Sequence, residues 1–160
     1  MKFTTEQESF MREAIRLSED NVRSGKGGPF GAVVVKAGKI IATGVNEVTA
    51  TNDPTAHAEI TAIRKACKQL GSFQLHGCEI YTSCEPCPMC LAAIYWARPD
   101  RLFFANSKED AASISFDDQF IYREIEKDVT CRSIPAFQLL SEEAKQAFEL
   151  WVRSPVKVNY

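Results

Sequence analysis

Apolar residues recur along this chain with two different periods, and the places where the period changes divide it into alternating helices and strands. Phe10, Met11, Ala14, Leu17, Ser18 and Val22 follow the capping-box pattern Thr5-Glu6-Gln7-Glu8 at helical spacing, so a first helix runs from there to Ser24-Gly25. Gly25 to Pro29 is a flexible turn. Ala32–Val35 and Ile40–Ala42 are apolar runs joined by a polar turn, and they read as a hairpin; Ile80-Tyr81-Thr82 and Leu102–Ala105 are two more strands. Between them, Asp53-Pro54 supplies a cap and a first-turn proline for a helix whose core face is Ala62, Ile63, Ala66 and Leu70. Met89–Ala97 is a second buried helix. Beyond Asn106, Phe116–Ile125 reads as helical, Ile134–Leu140 as extended, and Ser141–Val152 as a capped amphipathic helix stopped by Pro155. Alternation of this kind makes an α/β domain.

Length and composition narrow the class. The 160 residues, 45% of them hydrophobic, suffice for one core and leave no room for a second full domain, so residues 1–160 are expected to form a single domain. Nineteen basic against twenty-one acidic residues give a net charge of -2, with no overall field to draw the chain to a polyphosphate, so a nucleic-acid partner is not favoured. The first thirty residues are charged and amphipathic, which argues against a signal peptide or a membrane span and for a cytoplasmic protein with reduced thiols. The glycines at 25, 27 and 28 lack the Gly-Lys-Ser/Thr ending of a phosphate loop and precede a strand.

The chemistry is concentrated in two short runs. His57-Ala58-Glu59 and Pro86-Cys87-Pro88-Met89-Cys90 offer one imidazole, two thiols and an unpaired carboxylate. Catalytic zinc takes three protein ligands and keeps a position for water, whereas structural zinc takes four, so His57, Cys87 and Cys90 suit a catalytic Zn2+ with Glu59 beside it to move protons. His-x-Glu followed by Pro-Cys-x-x-Cys is the pattern of zinc nucleobase deaminases. The competing readings are a helix-start histidine bonded to nearby backbone and a redox Cys-x-x-Cys pair; nothing upstream of the cysteines looks like a thioredoxin unit. Cys84 continues the spacing of Cys87 and Cys90 and would close the site as a fourth ligand, but it lies on the strand side of the turn and reads as a small buried residue. Residues two apart in a helix point about 200° apart, so spacing alone does not aim His57 and Glu59 into one pocket.

Further blocks extend the pattern: Gly28-Pro29-Phe30-Gly31-Ala32, Asn46, Asn52 to Glu59, Thr82 to Cys90, Ile94 to Arg98, and Phe116-Asp117-Asp118-Gln119-Phe120. Over nearly its whole length the chain resembles the cytidine-deaminase-like zinc hydrolases, and within them the small bacterial guanine deaminases. The first, third and fourth blocks are shared in looser form with tRNA adenosine deaminases; the Phe-Asp-Asp-x-Phe block and the final Tyr160 favour guanine. The resemblance implies a three-layer α-β-α fold with a five-stranded mixed sheet, and a homodimer in which residues 130–160 are exchanged between subunits. It implies that Phe30 stacks on a purine, that Asn46 and the backbone near Ala58 bond its edge, that Trp96 belongs to the substrate site, that Asp118 meets the guanine amino side, and that Tyr160 of the neighbouring chain closes the pocket. Each has a plainer alternative, with Phe30 as core, Asn46 as a strand-end turn residue, Asp118 as a helix cap and the tail as a frayed end.

The reaction so implied is hydrolysis of guanine to xanthine and ammonia, with zinc hydroxide as nucleophile and Glu59 as proton shuttle. Two rivals remain. Deamination of adenosine in tRNA requires a basic surface and a flipped base, and the chain has no surplus of Lys and Arg to provide the first. A non-catalytic, zinc-stabilised binding module leaves Glu59 and the missing fourth ligand unexplained.

Overall fold

Strand β1, Gly31–Lys36, is apolar on both faces, and that fixes the layers around it. Ala32 and Val34 pack with Ala58, Ala62, Ala66, Ile80, Ile94 and Ala97 on one side; Val33 and Val35 pack with Ala14 and Tyr81 on the other. A strand buried on two sides needs a helix layer over each. Helix α1, Thr5–Arg23, covers one face, and α3, Ala58–Leu70, with α4, Pro88–Ala97, covers the other. The sheet order is β2-β1-β3-β4, with β2 at Lys39–Val45, β3 at Cys78–Cys84 and β4 at Arg101–Asn106. β1 runs antiparallel to β2 and β3, and β3 parallel to β4, so the sheet is mixed.

The structure, a computed structural model, describes residues 2–159; Tyr160 and the closing role expected of it lie outside the described residues. The chain divides into two compact units, with the boundary between Gln119 and Phe120. The first holds the sheet, α1, α3, α4 and two short helices, α2 at Val48–Thr51 and α5 at Lys108–Ser113, which the apolar pattern does not announce. The second contains most of α6, Gln119–Glu126, a 3-10 turn at Val129–Cys131, and α7, Ser141–Arg153.

Several boundaries differ from expectation for local reasons. The capping box sits one residue earlier: Thr4 is the N-cap, its side chain accepting from the Gln7 N–H while the Gln7 side chain accepts from the Thr4 N–H. Asp53 does not cap α3. Its carboxylate accepts instead from the backbone and hydroxyl of Thr55 and pairs with Arg64 at 3.5 Å, which makes the segment before His57 a tight loop. α7 begins behind Leu140, whose backbone is left-handed, with no side-chain cap. Four strands stand where five were expected; residues 134–140, read as extended from the sequence, form neither strand nor helix among the described residues, and Leu140 is left-handed. Pro135 has no N–H to donate, and an extended segment becomes a strand only through a partner's hydrogen bonds.

Gly44 governs how closely α3 approaches the sheet. A Cβ built there stands 2.0 Å from the Ala58 carbonyl oxygen and 2.6 Å from the Ala62 nitrogen, so the helix start rests on bare backbone. Replacing Gly44→Ala should therefore force α3 outward and destabilise the protein by at least about 2 kcal/mol, read as a lower denaturant midpoint. A variant as stable as the wild type would show that the helix can retreat without cost.

Candidate metal centre and active site

Two helix starts build the site. His57 is the N-cap of α3 in extended backbone (φ -70°, ψ 161°), and Cys87 is the N-cap of α4 in nearly the same backbone (φ -63°, ψ 167°); neither side chain caps its own helix. Pro88 at the first position of α4 has a fixed φ suited to a helix start, and Cys90 follows two residues on, in the first turn. The Sγ atoms of Cys87 and Cys90 each lie 3.5 Å from Nδ1 of His57. All three ligand atoms fall within 4.8 Å of one another. Tetrahedral zinc, with bonds of about 2.1 Å to nitrogen and 2.3 Å to sulfur, separates such donors by about 3.6 Å, so donor type and spacing both fit.

The same geometry answers the question of aim. Because His57 stands outside the helix, helical rotation does not separate it from Glu59, the second residue of α3. Glu59 is 6% exposed, lies beside the Cys90 thiol, and receives the Thr82 hydroxyl at 3.4 Å. Burial is the main cause that raises its pKa above the ordinary carboxylate range. The two thiols divide one proton unequally. Cys87 is drawn down to about 4, first by the hydrogen bond from Cys90 and with further help from His57, while burial opposes it. Cys90 is pushed up by that same bond and by burial. A divalent cation is the group that lets both ionise side by side.

Cys84 stands apart from the ligand group. Its Sγ donates to the Ser107 carbonyl at 3.6 Å, and burial raises the thiol to about 11. Thr82 was not among the residues the sequence singled out. Its signal is one of two adjacent hydroxyls, Thr82 and Ser83, buried toward the end of β3.

The remaining expected residues are placed unevenly. Ala58 is fully buried at the first position of α3, where its N–H has no intrahelical partner. Asn46 is 6% exposed; its Oδ1 accepts from the Val48 N–H at 3.3 Å, as a turn residue's would, which leaves its Nδ2 without a protein acceptor among the described residues. Phe30 is half-buried at the rim of the core and meets Phe116 edge to face. Asp118 is not the turn-former before α6: that bond is made by Asp117, whose Oδ1 accepts from the Gln119 N–H at 2.9 Å. Asp118 is partly buried, and its carboxyl is raised first by burial and then by the negative charge of Cys87, which puts it within electrostatic reach of the ligands. Trp96 lies near the far end of α4 from Cys90 and is 61% exposed, so the structure does not gather it with the ligand group.

Residues 4–106 match the family of the cytidine and deoxycytidylate deaminase zinc-binding region. The chain is 56% identical to a guanine deaminase of Bacillus subtilis over 96% of its own length and 98% of that protein's. The X-ray structure of guanine deaminase from the same organism superposes with a TM-score of 0.93, covering 96% of this chain and 98% of that one. A tRNA-specific adenosine deaminase of Aquifex aeolicus is 40% identical over 62% of this chain and 65% of its own. A guanine deaminase structure from Nitrosomonas europaea is 31% identical, with a TM-score of 0.66 over 74% of this chain and 67% of that one.

The ligand geometry predicts one zinc per chain. Cys87→Ser should lose it, and with it a part of the fold stability, whereas Cys84→Ala should keep it. Metal analysis of the purified variants checks both, and loss of zinc from the Cys84 variant would mean a closed, four-ligand site.

Proposed function

We propose, for a chain that belongs to the cytidine and deoxycytidylate deaminase zinc-binding family, that it is a guanine deaminase, converting guanine and water to xanthine and ammonia. The observation that carries the reading is the likeness to the Bacillus subtilis guanine deaminase in sequence and structure across nearly the whole of both chains, beyond the region shared with the Aquifex aeolicus tRNA enzyme. His57, Cys87 and Cys90 would hold zinc, which when bound lowers the pKa of a water from 15.7 toward about 7 and so supplies hydroxide at neutral pH.

The protein's own groups do the rest. Glu59 takes the proton that the attacking water gives up, and returns it to the ring nitrogen beside C2 as that carbon becomes tetrahedral. The amine needs a second proton before it can leave as ammonia, and a protonated Asp118 delivers it on the amino side of the base, while Glu59 takes the proton that the C2 hydroxyl gives up as the xanthine carbonyl forms; exchange with solvent then restores both carboxyl groups. Phe30 offers a flat apolar face to the purine, and the Asn46 amide and the Ala58 N–H hydrogen-bond its edge. The buried Thr82 hydroxyl beside Glu59 supports a fixed carboxylate, since a proton carrier must keep its aim through two transfers.

The active form is a cytoplasmic homodimer with residues 130–160 exchanged between otherwise single-domain subunits, and with Trp96 and Tyr160 brought to the base across the interface. What supports this is exposed apolar surface. Tyr95 and Trp96 stand out from α4, and β4 is an edge strand beside an open groove of about 600 Å³ lined by Phe3, Met11, Tyr81, Leu102, Phe103 and Phe104. In the second unit Phe137, Leu139, Phe148 and Leu150 are exposed as well. Among the described residues no helix is long and apolar enough to cross a membrane.

Zinc-loaded protein incubated with guanine should release ammonia and shift the ultraviolet spectrum to that of xanthine; silence with guanine alongside turnover of an adenosine-bearing tRNA would overturn the assignment. Glu59→Gln should keep zinc and lose about 10²- to 10⁴-fold in kcat, and Asp118→Asn should lower kcat without releasing metal. Deleting residues 156–160 should leave zinc in place and raise KM for guanine, and kinetics unaltered by the deletion would remove Tyr160 from the site.

A further inference from the structure

Phe116 lies outside the metal ligands and the proton-transfer groups, yet the chain is shaped to put it in one place. The Phe30 and Phe116 rings have centroids 4.9 Å apart and planes at 88°, an edge-to-face pair. Two independent backbone features make that contact. The first is the end of α5, where the Ser115 N–H donates to the Ala112 carbonyl and the Phe116 N–H to the Ala111 carbonyl, with Ser115 in left-handed backbone at φ 72°. This is a Schellman motif with serine at the position that favours glycine, so backbone strain is accepted in order to turn Phe116 in. The second is Gly28. A Cβ built there would stand 3.3 Å from Cζ of Phe116 and 3.4 Å from Cδ2 of Phe30, so the absence of a side chain leaves the space in which the two rings meet.

The pair has a direction. Phe30 packs against the core cluster that contains Ala58 and Ala62 of α3, whereas Phe116 is 45% exposed and gains little from burial. An exposed ring held by a strained turn against a half-buried one is a support for it. Two residues further along, Asp118 lies in electrostatic reach of Cys87. One short segment therefore carries both the ring that bears on Phe30 and the carboxylate assigned to the amino side of the base.

Building on the guanine deaminase reading, we propose that Phe116 is a positioning residue for substrate: its perpendicular contact fixes the tilt of the Phe30 ring, and the Ser115 turn sets Phe116 and Asp118 in register, so that stacking platform and amino-side carboxylate match a planar bicyclic amino-purine. A single-ring amino-heterocycle spans less of the distance between platform and carboxylate and is selected against. Phe116 touches no reacting atom and acts through Phe30.

A double-mutant cycle on the zinc-loaded full-length protein tests it. Phe116→Ala should raise KM for guanine about 3- to 10-fold, the range of an aromatic pair, while kcat and zinc content change little. In a Phe30→Ala background the same substitution should raise KM less than twofold, because the ring it supports is gone. Gly28→Ala, which crowds the pair from the other side, should raise KM in the same way, and Phe116→Leu, which keeps bulk without the ring, should fall between wild type and Phe116→Ala. The ratio of kcat/KM for guanine over a single-ring aminotriazine should fall with Phe116→Ala. An equal KM increase in both backgrounds, or an unaltered KM in Phe116→Ala, would overturn the positioning role while leaving guanine deamination by the wild type intact. Wild-type protein silent toward guanine would overturn the functional reading itself, and this role with it.

Discussion

The meeting of two helix N-termini in one small volume is the constraint on which the rest of the structure depends. α3 and α4 each begin with a residue in extended backbone, His57 and Cys87, and each points the positive end of its dipole at the same place. Two positive ends and a divalent cation repel one another unless negative charge separates them. The chain supplies it from the same turns, as the Cys87 and Cys90 thiols and the Glu59 carboxylate. The elements that hold these helix starts in place then follow: the bare backbone of Gly44 under α3, the Asp53–Thr55–Arg64 cluster that shapes the loop into His57, and β3, which delivers the chain to Cys87.

How far the sequence discloses this arrangement depends on whether a property is local. The metal donors are legible because zinc demands particular atoms, and few other uses call for one imidazole and two thiols at that spacing. The strands β1 to β4 are legible because their apolar runs are short and bounded by turn residues. What spacing does not give is the backbone state of His57. Counted as part of the helix it points away from Glu59; as N-cap it does not. The Asp53 cap failed for a related reason, since Thr55 and Arg64 offered its carboxylate better partners than a helix N–H did. Thr82 and Phe116 each open a motif block, but their packing roles are not legible there, because what matters about each is a neighbour far along the chain, Glu59 in one case and Phe30 in the other.

The two ends of the site are held differently. The metal side is mounted on buried helix starts and strand ends, where displacement costs packing of α3 and α4 on their face of the sheet. The side that carries Phe116 and Asp118 hangs on a short exposed helix and a left-handed serine. Chemistry that must be aimed sits on the rigid frame, and the recognition of the base proposed for Phe116 and Asp118 would sit on a turn that can change residue by residue without disturbing the core. Such a division lets one fold serve relatives named for guanine and for tRNA adenosine.

Among the described residues β4 ends the sheet, with Phe104 half in solvent and no strand beyond it. Its free backbone groups are a template for any extended chain that passes, and the groove beside it adds apolar area to the attraction. A newly made chain is therefore in a race between folding and irregular aggregation through that edge, whose rate rises with concentration. The yield of folded protein should fall as concentration rises, so slow synthesis and low temperature are the conditions under which this sequence folds cleanly.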